Sequence, residues 1–330
     1  MQAYDRARLT QQPGRSCPPS YRYPAEAFAG PAQLRARTLY VVGGLYGNRQ
    51  ALAALCSLAE PDATLVFNGD FNWFNVDPAG FPAVNDAVLR HVALRGNVET
   101  ELASDDERAG CGCAYPESVS DADVERSNRI LQRLRNASRA FPALRDRLAA
   151  LPMYCVAEID GCRVAIVHGD FASLAGWRFA HDSLHAPDAQ RWLAELFPRA
   201  GVSLFASSHT CLPALRELVT ADGPRAVINN GTAGMPNFSA ATHGVVTRIS
   251  TRPARPELRL YGTVLRGVFV DAIRVDYDHA AFVREFRANW PEESDAHVSY
   301  FRRIVNGPDF SVDQALGLRA DTQRGRACAQ

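Results

Sequence analysis

The chain has 330 residues, enough to bury one large core or two modest ones, and its apolar fraction of 47% is that of a globular protein. Its 36 basic residues, every one an arginine, balance 36 acidic ones, so no net field draws in nucleic acid or anionic lipid, and lysine chemistry is excluded. No apolar run is long enough to cross a bilayer and Met1 to Arg6 form no apolar signal core, so the expectation is a cytoplasmic protein with no membrane partner.

Residues 1–35 read as a Pro- and Arg-rich N-terminal extension wrapping the surface. Thr38–Val42 predicts a buried strand that ends in glycines, followed by a helix through Ala51, Leu52 and Leu55. Thr64–Phe67 predicts a second strand, Ala83–Leu89 a helix and Val92–Leu94 a third strand. This alternation marks an α/β protein. Residues 100–150 read as an insertion: an acidic, Gly- and Cys-containing stretch, then a long helical run that Pro142 should kink or split. Asp160-Gly161 between two apolar runs predicts a hairpin. Residues 203–275 are strand-rich, and two helices, about 280–288 and 295–305, close a main domain spanning 36–310; 311–330 read as a tail. Of the eight cysteines, Cys56 and Cys155 sit in apolar stretches and read as small core residues.

Five short blocks each stand at the end of an apolar run: Gly43-Gly44-Leu45-Tyr46-Gly47-Asn48, Gly69-Asp70, Gly96-Asn97-Val98-Glu99, His168-Gly169-Asp170 and Ser208-His209-Thr210-Cys211. Loops at the carboxyl ends of strands are where α/β proteins collect their chemistry. Singly, each block has a plain reading: Asp70 as a helix cap, Asn97 as a turn residue, His168 and His209 as hydrogen-bonded structural imidazoles. In this order they resemble the calcineurin-like metallophosphoesterases, whose pattern is Asp-x-His, Gly-Asp, Gly-Asn-His, a lone His and Gly-His-x-His. The segment Ile228 to Pro236 also resembles the Asn-Pro-Gly-Ser-x-Gly-x-Pro stretch of that family's bacterial phosphodiesterase branch. The resemblance covers about residues 38–275 and implies a four-layer αββα sandwich of two mixed β-sheets flanked by helices.

It also implies a ligand set. Asp70 matches the bridging carboxylate, and Asn97, His168 and His209 match the remaining ligands of one metal. The second metal's positions hold Gly44, Tyr46 and Cys211, so that half of the pattern is degenerate. Tyr46 is expected to plug the vacated space rather than bind as phenolate; Cys211 remains a possible ligand. Cys111-Gly112-Cys113 reads either as two incidental loop thiols or, with Cys211, as a replacement thiolate site or a redox switch. Arg95 matches a phosphate-binding arginine of the protein-phosphatase members, and Val98 stands where many members carry a leaving-group His. Trp73, Phe74, Trp177 and Phe179 line a pocket or belong to the core. His91, His181, His185, His243, His279 and His297 match no block and read as structural.

A carboxylate, an amide oxygen and two imidazoles suit one divalent Mn, Fe or Zn ion, with a second metal doubtful. The expected activity is hydrolysis of a phosphate mono- or diester of a small soluble substrate, with Asp70, His168 and Arg95 as the working residues and no nucleic-acid partner. The alternatives are a catalytically inactive binding or regulatory protein of the same fold and different chemistry at a single iron.

Overall fold

The computed structural model describes residues 12–318. Two six-stranded sheets form its centre. The first has the order β1 (Leu34–Arg35), β5 (Tyr154–Ile159), β6 (Cys162–Val167), β7 (Leu204–Ser207), β9 (Gly223–Asn230), β8 (Pro213–Thr220). The second runs β11 (Arg259–Leu265), β12 (Val268–Val275), β10 (Gly244–Ser250), β2 (Thr38–Val42), β3 (Thr64–Asn68), β4 (Val92–Leu94). Both are mixed: β2, β3 and β4 pair in parallel, as do β6, β7 and β9, while β10 and β12 run antiparallel.

The layers follow from the two-residue period of the strands. Along β2, Leu39 and Val41 join Val164, Ile166 and Ile228 in a core between the sheets. Tyr40 and Val42 face the other way, against Leu52 and Leu55 of helix α1 (Arg49–Leu58) and Val84 and Val88 of helix α2 (Gly80–Val88). A strand buried on both faces reads as the continuous apolar run seen here. Outside the first sheet, Leu193, Leu196 and Phe197 of a helix over Ala189–Ala200 cover Val167, Phe205 and Val227. The result is the four-layer αββα sandwich.

Local signals placed several elements correctly. Asp160 and Gly161 both have positive φ (46° and 74°), and Ile159 pairs directly with Cys162, as a two-residue hairpin loop requires. Pro142 splits the long helical run into Asp121–Ser138 and Pro142–Ala149, sitting at the first turn of the second helix, where its missing N–H is harmless.

Other expectations are corrected. The leader does not merely wrap the surface: Tyr21, Tyr23 and Phe28 are buried, β1 pairs with β5, and Phe28 packs edge-on against Tyr154 and Phe205. Its sequence lacks periodicity because it buries single anchors rather than a face. Cys155 is in the core, but Cys56 is exposed on the outer side of α1. In the expected tail, residues 311–318 pack through Ala315; the remainder, 319–330, and residues 1–11 of the leader lie outside the described residues.

Leader and insertion are joined by a buried polar chain. The Tyr21 hydroxyl donates to Glu101 Oε1 (2.6 Å), and the Arg135 guanidinium donates to Glu101 Oε2 (2.5 Å) and to the Glu101 carbonyl oxygen (2.9 Å). Both charged side chains are only 5% exposed. Removing one member of such a pair strands a charge away from water. Arg135→Ala is therefore expected to destabilise the protein by about 3–5 kcal/mol in chemical denaturation, and the double change Arg135→Met with Glu101→Gln by clearly less.

Candidate metal centre

The site is built where β3, β4, β6 and β7 end. After Asn68 the chain turns through Gly69 (φ 77°) and Asp70 (φ 54°). Gly69 is required by contact as well as by φ: a Cβ there would lie 2.6 Å from both the Gly96 nitrogen and His168 Nδ1. A Cβ on Gly96 would lie 2.3 Å from Asp70 Oδ1. These two glycines let the second and third blocks touch. Glu99, fully buried, fastens them: Oε2 accepts from the backbone N–H groups of Asp70 (2.7 Å) and Gly96 (3.0 Å), and Oε1 from that of Asn72 (3.1 Å). Burial, then the neighbouring Asp70 carboxylate, pushes the Glu99 carboxyl up to about 7. Sequence reasoning gave Glu99 no role; its place three residues after Gly96, at a helix start, was the available signal.

Four side chains from four loops converge. His168 Nε2 lies 3.1 Å from Asn97 Oδ1, 3.1 Å from His209 Nδ1 and 3.4 Å from Asp70 Oδ2. One ligand atom each from Asp70, His168 and His209 lies within 4.8 Å of the others, the one such His/Cys/Asp/Glu group among the described residues. The outer contacts decide what these atoms offer. His168 Nδ1 donates to the Asn68 carbonyl (2.9 Å) and His209 Nε2 to the Cys113 carbonyl (3.0 Å). A carbonyl oxygen only accepts, so both ring protons point outward and both imidazole lone pairs face inward. Asn97 Nδ2 donates to the Cys111 carbonyl (3.0 Å), which turns Oδ1 inward. Two lone pairs, an amide oxygen and a carboxylate then face one another in a buried space, which is the donor set of a divalent N/O site.

A proton is the natural stand-in for that cation. Burial disfavours a charged His168, but the Asp70 carboxylate beside it outweighs burial and holds its pKa above the ordinary imidazole value. Burial likewise opposes ionisation of Asp70, and the attraction of His168 overcomes it, leaving the carboxyl below its usual range. Burial first and His168 second drive His209 down to about 4.

Tyr46 and Cys211 stand together beside this group, at the edge of the same cavity. The Tyr46 hydroxyl is 2.8 Å from Cys211 Sγ, and a Cβ on Gly44 would sit 3.1 Å from Tyr46 Cζ, so the tyrosine lies over the glycine. Burial and the nearby Cys211 and Asp70 raise the Tyr46 phenol well above its usual value, which disfavours phenolate. Burial also raises the Cys211 thiol. The first block is held in place by the segment that follows β9: Ala233 N–H donates to Gly43 O (2.8 Å), Gly234 N–H to Gly44 O (3.0 Å) and Asn48 Nδ2 to Gly234 O (2.7 Å).

The Cys111–Cys113 loop lies over the centre and contributes mainly backbone, beside a longer contact from Asn97 Nδ2 to Cys113 Sγ (3.6 Å). The Cys111 and Cys113 carbonyls orient Asn97 and His209, and neither thiol, nor that of Cys211, joins the ligand group. Arg95 is also corrected. Its Nη1 donates to the Ala149 carbonyl (3.1 Å) at the end of a helix, and it is not part of the cavity wall. The arginine at the cavity is Arg303, on the helix Asp295–Asn306, whose guanidinium donates to the Cys211 carbonyl (2.5 Å) and the Pro236 carbonyl (3.3 Å). It lies beyond the matched motifs and carried no sequence signal. The cavity, of about 180 Å³, opens onto Asp70, Asn97 and His209. Trp73 and Trp177 line it, whereas Phe74 packs on Phe286 and Phe179 on Phe205 in the core.

No family model and no curated protein matches the chain. Solved structures do. A metallophosphoesterase from Sphaerobacter thermophilus aligns with a TM-score of 0.51 at 18% identity, over 80% of this chain and 98% of that one. A hypothetical protein from Pyrococcus horikoshii aligns with a TM-score of 0.50 at 16% identity, over 83% and 99%. At such identities the likeness establishes the shared fold. No helix among the described residues is long and apolar enough to cross a membrane.

If carbonyls rather than thiols serve the centre, Cys113→Ser should leave bound metal unchanged. Gly112→Ala should lower metal affinity about 10–100-fold, because Gly112 has φ 66° and a Cβ there would meet the Tyr21 hydroxyl at 2.4 Å. Metal analysis and calorimetric titration with Mn would check both. Because a metal must displace the proton that Asp70 favours on His168, affinity should weaken as pH falls through the imidazole range, by about tenfold per pH unit for one displaced proton. Titrations at several pH values would read the slope.

Proposed function

We propose that the protein is a metal-dependent hydrolase of a phosphate mono- or diester of a small soluble substrate, working with a single divalent ion (Mn, Fe or Zn), and that it is an atypical relative of the phosphodiesterase-like metallophosphoesterases. The observation that carries this reading is the inward convergence of Asp70, Asn97, His168 and His209 while their remaining polar atoms are committed outward. When bound there, such an ion supplies Lewis acidity toward a phosphoryl oxygen and activation of water.

The chain's own residues do the rest. The Asn68 and Cys113 carbonyls fix the imidazole tautomers before any ligand arrives, so little reorganisation remains at the moment of reaction. Arg303 presents a guanidinium at the same cavity, suited to a phosphoryl group. Tyr46 and Cys211 fill the second berth, which supports one ion rather than two. Val98 lines the cavity and itself carries no proton to give, which favours a leaving oxygen of low basicity.

A second reading has its own support: the filled berth and the absent proton donor also suit a binding or regulatory protein that keeps one metal. Turnover of an aryl phosphodiester with added Mn separates the two. The hydrolase reading expects turnover in the wild type and a loss of about 100-fold or more in His209→Ala. Metal at full occupancy with no hydrolysis across a broad phosphoester panel would favour the binding protein, and equal rates in wild type and variant would reject this centre.

A further inference from the structure

The walls of the cavity are built for a ring. Trp73 meets Tyr300 edge-on (ring centroids 6.3 Å, interplanar 76°), and Trp177 meets both Tyr115 (5.8 Å, 46°) and His209 (5.4 Å, 76°). All four lie in the lining of the space that opens onto Asp70, Asn97 and His209. Two of their polar tips are already committed to protein: Trp177 Nε1 donates to the Cys113 carbonyl (2.9 Å), and the Tyr115 hydroxyl is 3.1 Å from Ser127 Oγ. Trp177 and Tyr115 therefore offer ring surface held in fixed orientation, and Trp73 and Tyr300 add two further rings to the same wall.

The charge count is equally restrictive. Among the described residues, Arg303 is the one guanidinium in the lining, so a single phosphoryl group can be met there and a polyphosphate cannot be neutralised along its length. Tyr300 and Arg303 stand three residues apart on one helix, so aromatic edge and guanidinium are presented from the same face. With no proton donor at Val98, an acidic phenol also departs far more readily than an alkanol.

We infer that the cavity takes a phosphate ester whose organic group is a flat aromatic ring, held against Trp73, Tyr300, Tyr115 and Trp177 with its one phosphoryl group at Arg303 and the Asp70–His168–His209 centre. This rests on the reading of that centre as a metal-dependent phosphoester site and specifies its substrate class.

The test compares phenylphosphonate with methylphosphonate, whose carbon–phosphorus bonds resist hydrolysis, by tryptophan fluorescence and calorimetry on the full Mn-loaded chain. Phenylphosphonate should bind about tenfold or more tightly. Tyr300→Leu should cut that preference to about threefold or less with metal stoichiometry intact. Trp73→Leu should do the same and provides a second variant should the first lose its fold, as judged by circular dichroism. Arg303→Ala should weaken both phosphonates alike. Equal affinity for the two, or an undiminished preference in the folded leucine variants, would overturn the inference. Hydrolysis of phenyl phosphate and glycerol phosphate separates this claim from the one beneath it. Equal kcat/KM for the two esters would leave a hydrolase without ring selectivity. Selective phenylphosphonate binding with no turnover of either ester would keep the ring site and reject the hydrolase.

Discussion

Two imidazole lone pairs, 3.1 Å apart and facing each other beside a carboxylate, are a repulsive arrangement unless something positive lies among them. The protein imposes that arrangement through groups that can only accept. The Asn68 and Cys113 carbonyls hold the outer ring protons, and the Cys111 carbonyl turns the Asn97 amide. The strands supply the rigid ends, Gly69 and Gly96 permit the loops to approach, and buried Glu99 binds their amides together. Burial strengthens every one of these electrostatic contacts.

The insertion changes the meaning of the site more than the lost ligands do. Cys111-Gly112-Cys113 arrives over the centre, gives two carbonyls to its ligands and brings Tyr115 to the cavity wall. The loop is itself backed by Tyr21 of the leader, whose hydroxyl is held by the Glu101–Arg135 pair. Segments outside the resembled core thus support the orientation of residues inside it. On the other side, Tyr46 and Cys211 occupy space where ligands for a second ion are expected, joined by a short contact between hydroxyl and thiol. The polar, convergent side chains and the Tyr46–Cys211 pair thus face one cavity from two sides.

Legibility followed the range of the interactions. Strands buried on both faces, such as Thr38–Val42 and Thr64–Asn68, announce themselves as apolar runs, and Asp160-Gly161 and Pro142 act through local backbone sterics. The helix Ala189–Ala200 carries a stripe of Leu193, Leu196, Phe197 and Ala200, while the edge strand Arg259–Leu265 falls within the strand-rich stretch but has no strong pattern of its own. Arg95 misled because its neighbours in sequence belong to the site while its side chain reaches the end of a helix. Arg303 was invisible because nothing local distinguishes it from the other arginines on the closing helices.

The amino-acid sequence alone determined the α/β class, the ordered blocks at strand ends and the presence in them of Asp70, Asn97, His168 and His209, beside Gly44, Tyr46 and Cys211. These are properties of residue type, spacing and order, which the chain carries before it folds. Only the tertiary structure decided that the Cys111 and Cys113 carbonyls, not their thiols, serve the centre, that Tyr46 closes over Gly44, and that Arg303, Tyr115 and Tyr300 share a cavity with residues more than a hundred positions away. Hydrogen bonds and packing act across space, and their partners are fixed by how the loops of two sheets and an insertion come together rather than by any local pattern.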